Sequence, residues 1–291
     1  MNILVVAGHP ADMFDHCGGT LCHHIKKGDK VTCVAMTQGL RIHDEVISDV
    51  FRTEIDKYSE EDIQRLLEER QKVKYAEVIK ACGMFGIEDV RFLDYSDEIL
   101  TVNPEMISKL ARLMREVQPD ILITHWPRQF GGISNHHAIV GQIAIAAATA
   151  ASGVNFEDKM PACRLANTFF MLSPADCSSF DLLSSEHLAH ADFYVDVSDV
   201  IDLKVKALNS MRSQKYDFSN HAKRMAEQWY GTFGRRADLA YAEAFAMLEP
   251  EVGEYLPVSE HRMFLKNADE RDITRKTCTL AAMKVDLEER D

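Results

Sequence analysis

The chain has 291 residues, 46% of them hydrophobic, with 33 Lys and Arg against 46 Asp and Glu for a formal net charge of −13. That length and content supply a full core, read here as one domain with additions, and the acidic balance disfavours nucleic-acid backbones and anionic membranes, whose phosphates need clustered Lys and Arg. A small anionic substrate stays compatible, because a metal and an arginine can reverse the field within one pocket.

The chain opens with NILVVA, a short apolar strand. Its apolar run is too short for a signal peptide and leads straight into polar residues. MFDHCGGTLCHHIKKG carries helical periodicity and is read as the helix that follows, and DKVTCVAMT as a second strand. Residues 40–60 form a long polar insertion at the end of that strand, where a lid would sit. A charged helix over 60–85 follows, with Ile63, Leu66, Leu67, Val73, Val78 and Ile79 as its apolar positions. DVRFLDY is a third strand, and PEMISKLARLMREV, opened by Pro104, is a third helix. PDILITH is the fourth strand and HHAIVGQIAIAAATAA the helix after it. Residues 139–151, the longest apolar stretch, are interrupted by Gly141 and Gln142 and fall short of a membrane span.

Strands alternating with helices of this length predict an α/β fold, a Rossmann-like and mostly parallel sheet with helices on both faces. After residue 160 the pattern changes. ANTFFML and DFYVDV read as strands, with helices near 198–215 and 237–248, together a C-terminal extension of the sheet plus a cap. The expected division is a catalytic domain over 1–250 and a charged extension over 251–291. Seven cysteines at 17, 22, 33, 82, 163, 177 and 278 are odd in number and form no CxxC pair. They fit reduced thiols of a cytoplasmic protein and argue against cysteine ligation of a metal. The sequence allows a homo-oligomer.

Ligands on such sheets bind beyond the carboxyl ends of the strands, and two histidine clusters fall there. GHPAD follows the first strand; HWPRQFGGISNHH follows the fourth. In the first, His9 and Asp12 lie three apart on a turn stiffened by Pro10, an arrangement that can fill two positions of one zinc and leave room for a third ligand and water. An isolated HxxD is weak, because such a histidine as readily caps a helix. In the second, Ser134, Asn135, His136 and His137 stand on a Gly-rich loop at the start of a helix. Both clusters sit at one sheet edge, so they can converge.

These residues resemble the PIG-L/LmbE superfamily, best known for zinc-dependent N-deacetylases of GlcNAc-containing substrates. VVAGHPADMFDHCGGTL is similar to that family's AHPDDE…GG signature, PDILITHWPRQFGGISNHHAIVG to its second motif, and VDVSDVIDLKVKALNSMRSQ and YAEAF to its C-terminal stretches. By position the resemblance implies that His9, Asp12 and His137 are zinc ligands, with another divalent metal compatible with the same set. Three departures bear on the reaction. Ala11 replaces the Asp that takes a proton from water in the deacetylases, Ser134 replaces a histidine that assists their tetrahedral intermediate, and His136 stands in place of the second motif's Asp. An HxAD first motif is similar to that of 4-oxalomesaconate hydratase, a member of the same superfamily that adds water to a carbon–carbon double bond.

The expected function is therefore a zinc enzyme activating water against a small polar substrate, foremost a hydratase or lyase on a carboxylate or sugar-derived acid. A zinc N-deacetylase of an amino sugar with a substitute base, and a metal-binding homologue without turnover, are the competing readings. His136, His43 and Glu45, with Asp44 beside them, are the candidates for moving the proton. Arg128 and Arg41 are the candidates for pairing with a substrate carboxylate or phosphate. His125 is expected behind the ligands, His16, His23 and His24 as structural or exposed, and Tyr241, Glu243 and Phe245 as packing residues. Gly18 and Gly19 match no phosphate-loop pattern and are read as permitting close packing.

Overall fold

The computed structural model describes residues 1–97, 101–128, 136–156, 159–177 and 189–287. In chain order its first half runs β1 (Asn2–Ala7), α1 (Asp12–Asp15), α2 (Gly18–Lys26), β2 (Lys30–Thr37), α3 (Leu40–His43), α4 (Glu45–Asp49), α5 (Glu60–Met84), β3 (Asp89–Tyr95), α6 (Pro104–Val117), β4 (Ile121–His125) and α7 (His136–Ser152). The second half runs β5 (Asn167–Met171), β6 (Phe193–Asp196), α8 (Ile201–Asn209), α9 (His221–Met225), α10 (Gly231–Ala237), β7 (Ala242–Met247), α11 (Glu260–Asn267), α12 (Glu270–Thr277) and α13 (Thr279–Ala282). No helix among the described residues is long and apolar enough to cross a membrane.

The seven strands form one sheet in the order β3-β2-β1-β4-β5-β7-β6. The strands from β3 to β5 pair in parallel, and β7 runs antiparallel between β5 and β6. Successive residues of a strand point to opposite faces, so a strand covered on both sides is apolar throughout. β1 shows this directly. Ile3 and Val5 pack with Cys33, Val78, Cys82, Val205 and Leu208 on one face, while Leu4 and Val6 pack with Leu110, Met114, Val140 and Ile143 on the other. The order reverses at β1, whose neighbours β2 and β4 lie on opposite sides, and the carboxyl ends flanking such a switch point form a crevice.

Helix boundaries follow local chemistry. Ser59 and Asp62 form a reciprocal capping box at the start of α5, and Asn103 caps α6 ahead of Pro104. Gly141 lets α7 lie against the end of β4, since a Cβ there would meet the carbonyl oxygen of His125 at 2.4 Å.

Two expectations are corrected. The helix read over 237–248 is instead β7, its AEAFAM sequence buried at every position but the last. Alanine favours helix only weakly, and burial between two strands overrides that preference. The single helix read after β1 is broken at His16 and Cys17 into α1 and α2. Its exposed backbone groups are taken up by a buried ion pair. Glu243 accepts the N–H groups of Gly19 and Thr20 at 2.9 and 2.8 Å and the Thr20 hydroxyl at 2.6 Å, and Lys204 donates to the carbonyls of Phe14 and Asp15 and to Glu243 itself. Both paired side chains are fully buried. Gly18 and Gly19 do permit close packing there, since a Cβ would lie 2.9 Å from Phe85 and 2.5 Å from Val197. Past residue 251 the chain forms α11 to α13 and returns to α8, where the N–H groups of Lys284 and Val285 donate to Asp202.

Candidate metal centre

The turn after β1 is built by its own polar groups. Thr37 donates from its backbone and hydroxyl to the Gly8 carbonyl at 3.0 and 2.9 Å, and the Asp12 carboxylate accepts the His9 N–H at 2.7 Å. Gly8 leaves space that a side chain would take, because its Cβ would lie 3.0 Å from the His137 ring and 3.3 Å from Asp12. From the neighbouring strand His125 accepts the Gly8 N–H at its Nε2 at 2.9 Å. The backbone fixes the direction of that donor, so the His125 proton sits on Nδ1 and the 3.2 Å approach of Asp12 to the same nitrogen is a contact between acceptors. Burial, reinforced by the His137 charge, brings His125 down to about 3.

His9 Nδ1, His137 Nε2 and Asp12 Oδ2 lie 3.1, 3.2 and 3.3 Å from one another. They are the one group of three such donor atoms among the described residues close enough to share a metal ion. Bonds of about 2.0–2.1 Å to a tetrahedral zinc separate ligand atoms by roughly 3.3–3.4 Å, so the spacing fits that ion. The far nitrogen of His9, Nε2, is buried without a hydrogen-bond partner among the described residues. Its polar contacts to His137 and Asp12 lie at Nδ1. Burial alone would raise the Asp12 carboxyl, but the charges of His137 and His9 outweigh it and hold the group well below the usual carboxylate range.

The other expected residues separate into two sets. His43 and His136 both turn edge to face with His9, their ring centroids 4.7 and 5.8 Å from it. Burial brings His43 down to about 4 and lowers His136, so both rings are neutral at neutral pH. Glu45, half-buried at the start of α4, lines a cavity of about 300 Å³ that His43 shares. Arg41 and Arg128 are exposed, and Arg41 lines a separate hollow with Gln38, Phe51 and Asp97. Ser134 and Asn135 lie outside the described residues. Ala11 is 4% exposed and packs into the apolar core.

Several neighbours of the cluster escaped sequence reasoning. His16 is buried with its ring 5.4 Å from His125 and 6.0 Å from His137, and its Nδ1 has no partner among the described residues. Its spacing of four from Asp12, one helical turn, was the available signal. The Tyr230 hydroxyl donates to Asp15, and no local pattern announces that contact across the chain.

The polar insertion is fastened down rather than free-standing. Asp97 accepts the N–H groups of Gly39 and Arg41 at 2.6 and 2.7 Å, and the fully buried Lys74 donates to the Gly39 carbonyl. Asp44, also fully buried, caps α4 and takes Arg70 at 3.1–3.2 Å. Leu40, Ile47 and Val50 face the core. With its backbone and apolar residues so engaged, the segment is expected to resist limited proteolysis equally with and without metal or ligand. Cleavage within 40–60 that ligand suppresses would instead mark the segment as a lid.

The fold and the cluster at its switch point define the class. Residues 4–148 match the PIG-L family model, described as GlcNAc-PI de-N-acetylase, and the chain is a member of the PIG-L/LmbE superfamily of enzymes. It is 23% identical to the diacetylchitobiose deacetylase of Thermococcus kodakarensis over 215 residues, covering 73% of this chain and 70% of the relative. Among solved structures, GalB, the 4-carboxy-2-hydroxymuconate hydratase of Pseudomonas putida, superposes with a TM-score of 0.66 at 20% identity over 88% of this chain and 99% of that one. The conserved protein TT1542 of Thermus thermophilus gives a TM-score of 0.65 at 22% identity over 89% and 98%.

Proposed function

We propose that this chain is a zinc-dependent hydratase or lyase acting on a small carboxylate or sugar-derived acid, with His9, Asp12 and His137 holding the metal. The observation that carries the reading is the pairing of three donor atoms within 3.3 Å of one another with an inert methyl group at Ala11. When bound there, a divalent metal supplies Lewis-acid polarisation and a lowered water pKa. The protein's own work is to move a proton. Amide hydrolysis needs a base for water and an acid for the leaving amine, and Ala11 can be neither. Hydration of a double bond asks less. The water oxygen adds to one carbon while its proton passes to the neutral imidazole of His136, which returns it to the adjacent carbon. His136 suits this better than His43, which burial makes a weak base. His43 and Glu45 wall the approach. Iron or manganese would suit the same two-His, one-carboxylate set.

A de-N-acetylase with His136 as substitute base is the second reading, favoured by the similarity to diacetylchitobiose deacetylase. Assays of metal-loaded protein separate the two. The expected result is loss of ultraviolet absorbance with unsaturated hydroxy acids of the 4-carboxy-2-hydroxymuconate type and no amine released from N-acetylglucosamine or diacetylchitobiose. Amine release at an ordinary enzyme rate, with no hydration, would overturn the first reading in favour of the second.

A further inference from the structure

The cavity shared by His43 and Glu45 opens between the insertion and a segment far along the chain, and its opposite wall is made by Lys215, Tyr216 and His221. It adjoins the histidine and carboxylate cluster on two sides. His43 lies edge to face with His9, and the half-buried Tyr216 packs against the core cluster that holds Ala11 and Phe14 beside Asp12. Its volume, about 300 Å³, is at the small end of the roughly 300–1,000 Å³ of ligand pockets, which suits one small acid and not an oligosaccharide.

Two cations line it, Arg52 from the insertion and Lys215 from the far segment. Both are exposed, and neither side chain has a hydrogen bond or ion pair among the described residues. In a chain of net charge −13, two unpaired cations on one small cavity mark a place for an anion. Glu45 and Asp49 line the same cavity and, as carboxylates, act only as acceptors, which suits hydroxyl groups of a ligand. Lys215 itself takes a left-handed backbone, φ 63°, where the turn before it ends.

We propose that this cavity is the substrate vestibule, that Arg52 and Lys215 receive the carboxylate of a hydroxylated acid, and that Glu45 and Asp49 receive its hydroxyl groups. The assignment rests on the metal-enzyme reading above and moves carboxylate recognition away from Arg41 and Arg128.

The test is calorimetric titration of zinc-loaded protein with D-glucuronate and, as its uncharged counterpart, D-glucose, with metal content measured on every sample. Charged hydrogen bonds of about 1.5–3 kcal/mol correspond to roughly 10-fold or more in affinity. Glucuronate is expected to bind at least that much more tightly than glucose, and Arg52→Gln and Lys215→Gly each to remove most of the difference with metal content unchanged. Lys215→Gly should also raise the melting temperature, because glycine adopts positive φ without strain, so loss of binding is separated from loss of fold. Equal binding of the two sugars, no binding of either, or unaltered selectivity in both variants would overturn the vestibule. Absence of zinc from the wild type would instead overturn the metal reading.

Discussion

Replacing His9 or His137 by alanine is expected to remove the metal and, with it, essentially all turnover, while the fold persists. Wild-type protein should carry about one zinc per chain. Each variant loses one of three protein donors from an open site, and since even an outer partner of a metal ligand is worth about 10–100-fold in affinity, loss of a ligand should cost more than about 100-fold. The fold should survive because β1, β4 and α7 are held by apolar packing on both sheet faces and not by the cluster. Elemental analysis after dialysis, read beside circular dichroism, checks both halves. Full metal occupancy in either variant would contradict the ligand assignment.

His136→Ala is expected to give the opposite pattern, with metal retained and turnover reduced by about 10²–10⁴-fold, the usual worth of a positioned proton carrier. The residue is half-exposed at the first position of α7, so truncating it leaves no cavity in the core. Ala11→Asp is the companion variant. Ala11 packs among apolar side chains at 4% exposure, so a carboxylate there meets a desolvation cost and should lower stability without improving the native reaction. Turnover in His136→Ala within a few-fold of wild type would remove His136 from the mechanism and leave His43 and Glu45 as the groups to vary.

Much of the fold was legible because its first half is locally consistent. NILVVA, VTCVAM and ILITH are short apolar runs rich in β-branched residues, and α5 and α6 carry their own capping residues. β7 was not legible, since its three alanines and Glu243 read locally as helix and only burial between β5 and β6 makes them a strand. Helices α9 and α10 were missed for a related reason. Gly231 and Gly234 weaken their local signal, and Gly234 is needed because a Cβ would meet the Ala240 carbonyl at 2.3 Å.

The convergence of His9 and His137, 128 positions apart, was readable from topology alone. β1 pairs with β4 at Val6 and Thr124, so whatever follows each strand emerges side by side. His16, Tyr216 and the unpaired Arg52 and Lys215 were not readable, because their nearness to the cluster comes from the path of the insertion and of the segment after α8. In sequence Arg128 ranked ahead of Arg41 as a carboxylate partner; both are exposed, as Arg52 and Lys215 are, and Arg41 lines a separate hollow.

The most direct test of the account is anomalous diffraction on crystals of the wild-type protein grown with zinc, recorded on both sides of the zinc absorption edge. One strong peak per chain is expected between His9 Nδ1, His137 Nε2 and Asp12 Oδ2, at about 2.0–2.1 Å from each histidine nitrogen. A fully occupied peak elsewhere, or no peak among these three side chains in zinc-saturated crystals, would contradict it.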